Sequence, residues 1–105
     1  MKKPFITAAF LLLSFGSNAE TFDITNVGVD LNQQTFFVGV TPLATASPCA
    51  RKDEFKWNLS QSGIKEIESL VLTAKATGKK IVIGIDLTNC VAGQATGFFL
   101  YIPQQ

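Results

Sequence analysis

The chain has 105 residues, contains two cysteines and no histidine, and carries nine basic and eight acidic side chains. Without histidine, Ser-His-Asp and Cys-His catalytic arrangements are excluded, and two cysteines alone are too few for a structural zinc site. A net charge of +1 also lacks the basic excess that gives nucleic-acid binders most of their affinity. We therefore expect no metal, no cofactor and no nucleic-acid partner.

The first 19 residues have the layout of a secretory signal peptide: two lysines, an apolar run over residues 5–15 and a small polar tract. Ser17 and Ala19 supply the small side chains that signal peptidase must accommodate. A membrane-spanning helix needs about 20 apolar residues, and this run is barely half as long. We predict cleavage after Ala19, no membrane span after cleavage, and a secreted or periplasmic location in a bacterium.

Removal of residues 1–19 from a chain of 105 leaves 86, enough for a single small domain over residues 20–105. Both leader lysines are lost, so the predicted mature chain has seven basic and eight acidic side chains. Domains of this size are marginally stable without additional support. Because export carries Cys49 and Cys90 into an oxidising compartment, we predict that they form a disulfide. Closing this loop contributes roughly 4 kcal/mol in the chain-entropy model.

Two strands are predicted after the leader. Over residues 21–31 the apolar alternation changes phase near Thr25 and Asn26, which indicates one extra residue and therefore a β-bulge. Residues 35–40 form the second predicted strand, in which Phe37 faces away from the other large apolar side chains.

A loop with two prolines over residues 41–48 leads to a short third strand at residues 54–57. Phe55 and Trp57 alternate there with polar residues and share one face. We expect both side chains in the core.

The clearest predicted element is an amphipathic helix, with Ser60 or Ser62 as its N-cap and Gly78 as its stop signal. Leu72 lies off the apolar stripe, either under a neighbouring loop or in contact with a partner. The stripe comprises Ile64, Ile67, Leu70, Val71 and Ala74, of which Ile64, Ile67 and Val71 are expected in the core.

Two further strands follow the helix, separated by a loop or short edge piece that contains Cys90. In the fourth strand Ile81, Ile83 and Ile85 share one face. In the fifth strand the two faces carry different sets, with Phe98, Leu100 and Ile102 on one side and Phe99 and Tyr101 on the other.

The predicted class is therefore mainly β with one helix, in the order β-β-β-α-β-β. This order is that of an OB-like five-stranded barrel in which the helix covers one end. The alternative is an α+β domain with the helix laid across an open antiparallel sheet.

Several features also resemble small secreted bacterial OB-fold proteins: the leader, Cys49 before a Trp57-Asn-Leu-Ser start to the helix, the "TAKATGKKI" segment at residues 73–81, and Cys90. The pattern is similar to the B subunits of AB5 toxins, particularly the subtilase-cytotoxin type. That resemblance implies a ring-shaped homopentamer whose subunits bind surface glycans. None of that family's sugar-contacting residues is matched here.

Phe37, Phe99 and Tyr101 lie opposite the core faces of their strands and are the candidate ligand or interface residues, unless the residue 41–48 loop and the helix cover them. We expect a non-catalytic binding module, for which the toxin B-subunit resemblance implies glycan binding, with a glycan or protein partner or a homo-oligomer. The alternatives are a periplasmic structural or inhibitor-type protein that acts on a partner protein, and a small hydrolase. Catalysis is disfavoured because the close acidic pairs, Asp53-Glu54 and Glu66/Glu68, are typical of solvated faces.

Overall fold

A computed structural model describes residues 17–104. The predicted signal peptide lies outside the described residues, except that Ser17, Asn18 and Ala19 form the start of the first strand. Within the described range the elements are β1 (Ser17–Asp30), β2 (Thr35–Thr41), β3 (Arg51–Asn58), α1 (Ile64–Thr77), β4 (Ile81–Asp86), β5 (Gln94–Ala95) and β6 (Gly97–Tyr101).

The strands form one six-stranded sheet in the order β5-β3-β2-β1-β4-β6, which curls into a half-barrel. All neighbours are antiparallel except β3 and β5, which are parallel. The two edge strands, β5 and β6, are consecutive in the chain and separated only by Thr96. Residues 94–101 therefore run from one edge of the curled sheet to the other. The mainly β, OB-like fold with one helix is confirmed. The predicted fifth strand corresponds to β6, and β5 is a sixth, very short strand in the segment predicted as a loop or short edge piece.

β1 bends around the half-barrel because its first part pairs with β4 and its second part pairs with β2. The register with β2 shifts between Ile24 and Asn26, which leaves Thr25 as the extra residue of the predicted bulge. The Thr25 and Asn26 side chains lie over Gly39, where a Cβ atom would stand 1.8 Å from the Asn26 Oδ1. A glycine at position 39 therefore makes room for the bulge.

The ends of α1 are both formed by glycine. Gly63 is the N-cap residue, with φ of 84° and no side-chain cap hydrogen bond, so the predicted serine cap at Ser60 or Ser62 is wrong. The chain enters the helix through backbone turns instead, including a bond from the Ile64 N–H to the Gln61 carbonyl. Gly78 ends the helix at φ of 70°, as predicted.

The core lies between the concave face of the sheet and α1. Phe55 and Trp57 are buried and nearly parallel, with ring centroids 6.0 Å apart, and Phe22 meets Phe55 edge-on at 5.3 Å. The core also contains the predicted helix residues Ile64 and Val71, with Ile67 partly buried against it, and the strand residues Phe36, Val38, Val40, Ile81, Ile83 and Ile85.

Two helix leucines differ from the core pattern. Leu70 belongs to the predicted apolar stripe but is 36% exposed, because it lies at the edge of that stripe. Leu72 is 53% exposed, so the expectation that a loop covers it is wrong. Only the central part of the stripe, around Val71 and Ala74, is fully enclosed by the sheet.

The predicted disulfide is confirmed: Cys49 and Cys90 are joined, with their Cα atoms 5.8 Å apart. Cys49 is buried and Cys90 is exposed. Lys52 reinforces the same region, since its Nζ donates hydrogen bonds to the carbonyls of Ser47 and Cys49. The disulfide therefore ties the loop after β2 to the loop after β4.

Candidate binding surfaces

The most prominent exposed apolar group lies on β6. Phe99 and Tyr101 are 45% and 48% exposed, and their rings are 6.2 Å apart and within 11° of parallel. Phe98, directly before them, is 59% exposed. We call these three residues the aromatic surface. Contiguous exposed apolar groups on a small domain commonly mark an interaction site.

A glycine in the neighbouring strand positions the Phe99 ring. Phe99 pairs with Gly84 of β4, and a Cβ atom on Gly84 would stand only 2.2 Å from the ring carbon Cε2 of Phe99. The ring therefore lies flat over the glycine backbone, and Gly84 is buried beneath it. Because the aromatic surface rests on a paired strand, it presents its rings from a rigid scaffold.

The alternation predicted that Phe98 shares the core-facing side of the strand with Leu100 and Ile102. The structure differs at Phe98. Gly84 pairs with Phe99 and Ile85 pairs with Gly97, so the register shifts by one residue and Phe98 is left as the extra one. Leu100 is partly buried against the core, whereas Phe98 is exposed. The bulge thus exposes a third aromatic side chain of β6 that the sequence pattern had assigned to the interior.

β6 is also an edge strand. In the described part of the chain it pairs with β4 on one side and with no strand on the other. Residues 97–101 read Gly-Phe-Phe-Leu-Tyr and contain no charged residue and no proline. Charged residues and prolines are among the features with which natural proteins block edge-to-edge pairing. The aromatic surface therefore adjoins a sheet edge that carries no charge and no proline and is interrupted only by the bulge at Phe98.

Phe37, the third predicted candidate, lies elsewhere. Its half-buried ring covers Gly28 of β1, where a Cβ atom would stand 2.4 Å from the ring carbon Cζ. Ala19, the β1 residue paired with Gly84, precedes Gly28 by nine positions. At about 3.3 Å per residue this is roughly 30 Å along the strand. The structure therefore brings Phe99 and Tyr101 together but does not bring Phe37 to them.

The face around Phe37 is polar. Phe37 pairs with Lys56 of β3, a buried lysine whose Nζ donates a hydrogen bond to the Gln33 Oε1. On the same face of β3, Glu54 accepts a hydrogen bond from the Nε2 of the buried Gln94. Within residues 17–104 the Gln94 Oε1 has no partner. The sequence pattern did not single out Gln94, because its position depends on the parallel pairing of β5 with β3.

Asp86 organises the loop that carries Cys90. Its buried carboxylate accepts hydrogen bonds from the backbone N–H groups of Thr88 and Asn89, at 2.8 and 3.0 Å, and from both of their side chains. Burial by itself raises the pKa of this carboxyl, but these hydrogen bonds outweigh it and hold the pKa below its usual value. Asp86 therefore stabilises the loop in its ionised form.

Comparisons with known proteins add no relative: no protein-family model, no curated protein and no solved structure matches this chain. Across residues 17–104, no helix has the length and apolar character needed to cross a lipid bilayer. The fold by itself defines a small, disulfide-linked, mainly β domain with one helix. Its two distinct faces are the aromatic surface on β6 and the polar face around Phe37.

Proposed function

We propose that the protein is a secreted or periplasmic binding module without catalytic activity, and that the aromatic surface contacts its ligand. The observation that carries this proposal is the pair of nearly parallel, half-exposed rings of Phe99 and Tyr101 on one paired strand. Exposing this much aromatic area to water is unfavourable, and a ligand that covers the two rings removes that free-energy cost. Support also comes from Gly84, whose missing side chain leaves the space in which the Phe99 ring lies against the sheet.

The ligand class that fits this surface best is a glycan. Pyranose rings present an apolar face of C–H groups, which packs against a flat aromatic ring, and the Tyr101 hydroxyl adds a polar group at the edge of the surface. The resemblance to toxin B subunits in the cysteine, tryptophan and "TAKATGKKI" pattern points the same way. Preorganised rings also lower the entropy that the protein loses on binding.

The edge position of β6 favours a second candidate function, binding to a protein. A partner strand could extend the sheet at β6 while its side chains cover Phe98 and Phe99. The partner would be a second copy of the chain, in a homo-oligomer such as a pentamer, or another periplasmic protein. In this case the protein acts as a structural or inhibitor-type component.

A glycan array combined with a measurement of mass in solution tests the proposal. We expect the purified secreted protein to bind a subset of glycans, and Tyr101→Ala to lower the signal roughly tenfold, about 1.4 kcal/mol. Phe37→Ala is the matched control, because it removes an aromatic ring roughly 30 Å away along β1 and should leave the glycan signal unchanged. Absence of glycan binding by a monomer would reject the glycan proposal, whereas an oligomer dissociated by Tyr101→Ala would favour the protein-binding function.

A further inference from the structure

A cavity of about 120 Å³ lies where the end of α1 meets β1, on a part of the molecule that the proposed function does not use. Ala74, fully buried, and the half-buried Ile24 contribute its apolar lining. The remaining lining is polar and exposed, and it comes from Asp23, Lys75, Gly78 and Lys79.

The local backbone explains why space remains here. The bulge at Thr25 interrupts the pairing of β1 directly after Ile24. On the other side, α1 ends at Gly78, and a Cβ atom placed on this glycine would meet nothing within 4 Å. Two backbone irregularities, one from the sheet and one from the helix, thus face each other across the cavity.

The charges around the cavity are unbalanced. The Asp23 carboxylate is already bound by Lys80, whose Nζ lies 2.9 and 3.0 Å from its two oxygens. Within residues 17–104, Lys75 and Lys79 form no ion pair with any carboxylate. Three ammonium groups and one carboxylate therefore leave a net charge of +2 in this region.

The carboxyl end of α1 opposes an anion, since a helix C-terminus carries about half a negative charge. That charge is smaller than the lysine excess. It is also partly satisfied locally, because the backbone N–H groups of Gly78 and Lys79 donate hydrogen bonds to the carbonyls of Lys75 and Ala74. Counted as formal charges, the groups around the cavity therefore favour a bound anion over a bound cation.

We infer that this cavity binds a small oxyanion, a carboxylate, sulfate or phosphate group, between the ammonium groups of Lys75 and Lys79. Its volume admits a group of a few heavy atoms. The group could arrive as a free inorganic ion or as the acidic substituent of a sugar. The chemistry is the same in both cases, and the two sources separate in the titrations below.

The test is a titration of the isotope-labelled secreted protein followed by NMR, at constant ionic strength, with sulfate, phosphate, glucuronate and glucose in turn. We expect saturable shifts of the amide signals of Ile24, Ala74 and Gly78, with affinity in the millimolar range. The paired substitution Lys75→Gln and Lys79→Gln should weaken binding roughly fivefold or more. The control is Lys65→Gln, an exposed lysine at the opposite end of α1, which should not change the affinity.

Saturation by sulfate or phosphate alone supports the site with a free inorganic ion as ligand. Saturation by glucuronate but not by glucose supports it with an acidic sugar as ligand. Equal affinities in the paired variant and the control, or shifts that do not saturate with any of the anions, would overturn the inference. Signal dispersion in the same spectra shows that each variant is folded, and none of these outcomes depends on the aromatic surface.

Discussion

The indole Nε1 of Trp57 donates a hydrogen bond to the carbonyl oxygen of Gly97, with 3.1 Å between the two atoms. Trp57 belongs to β3 and Gly97 is the first residue of β6, and these strands are not neighbours in the sheet. From the half of the sheet that contains β4, the backbone N–H of Asp86 donates a hydrogen bond to the carbonyl of Thr96 at 3.0 Å. The segment between β5 and β6 is therefore held from both ends of the curled sheet.

Trp57 should accordingly contribute both packing and a hydrogen bond. We expect Trp57→Ala to lower the free energy of unfolding by about 3–5 kcal/mol, because it leaves a large cavity next to Phe55. Trp57→Phe keeps an aromatic ring but removes the donor to Gly97, and should cost about 1–3 kcal/mol. Urea unfolding followed by circular dichroism measures both. If Trp57→Ala were as stable as the unaltered protein, the core position of this side chain would be disproved.

The disulfide should be a large part of the stability of this small domain. Cys49 and Cys90 are 41 positions apart, so their bond restricts a long loop in the unfolded chain. We expect Cys90→Ser to lower the melting temperature by roughly 15–30 °C, from about 4 kcal/mol at 4–8 °C per kcal/mol. As a control, the unaltered protein in reductant should melt like Cys90→Ser. Melting that is insensitive to reductant would contradict a stabilising bridge.

Gly84 and Phe99 should be energetically coupled. A methyl group on Gly84 would overlap the Phe99 ring, so we expect Gly84→Ala to destabilise the protein by about 1–3 kcal/mol. Adding Phe99→Ala removes the obstacle, and the double variant should be more stable than the sum of the single changes predicts, by roughly 1 kcal/mol.

The matched control for this coupling is Gly28→Ala, whose methyl group would meet Phe37 instead. It should be additive with Phe99→Ala, since the two sites share no contact. Coupling of equal size in both pairs would show that Phe99 does not lie specifically over Gly84. Denaturant titrations of the six proteins provide the complete set of free energies.

Asp86 makes stability depend on pH in the acid range. Its pKa is lower in the folded state than in the unfolded chain, where an aspartate has a pKa of about 3.9. The contribution is therefore fully present above that unfolded value and is lost as the pH falls through the lower, folded value. We expect Asp86→Asn to be clearly less stable at pH 7, since the Asn89 side-chain amide would then face another donor.

The difference between the unaltered protein and Asp86→Asn should shrink as the pH falls below about 4. Thermal melts of both proteins at several pH values between neutral and strongly acidic conditions measure it. As a reference for general acid effects, Asp53→Asn changes an exposed aspartate in an ion pair with Arg51. A constant difference across the whole range would contradict the role of the ionised Asp86 carboxylate.

The start of α1 offers a direct comparison of two capping models. Ser62→Ala should leave the stability almost unchanged, because no serine side chain caps the helix. Gly63→Ala should cost about 1–2 kcal/mol, because its φ of 84° is unfavourable for a residue with a Cβ atom. Chemical denaturation of the two variants measures both stability losses. A larger loss for Ser62→Ala than for Gly63→Ala would contradict the glycine cap and support a serine cap.

The sequence alone predicted what depends on local pattern and composition. The phase change at Thr25 indicated the bulge, Gly78 indicated the end of the helix, and the alternation around Phe55 and Trp57 indicated a core strand. Two cysteines, together with the predicted secretory leader, were sufficient to predict the disulfide. In each of these cases neighbouring residues, or the composition of the chain, contain the information, so no knowledge of distant contacts is needed.

The tertiary structure decided where side chains from distant parts of the chain meet. The exposure of Phe98 depends on a register shift against β4, and the cap at Gly63 depends on how β3 leads into α1. The separation of Phe37 from Tyr101 follows from the length and bend of β1. The charged cavity requires Asp23 and Lys75 to meet across half of the chain. Alternation in a single strand cannot encode these relations, because each is set by pairing and packing between elements.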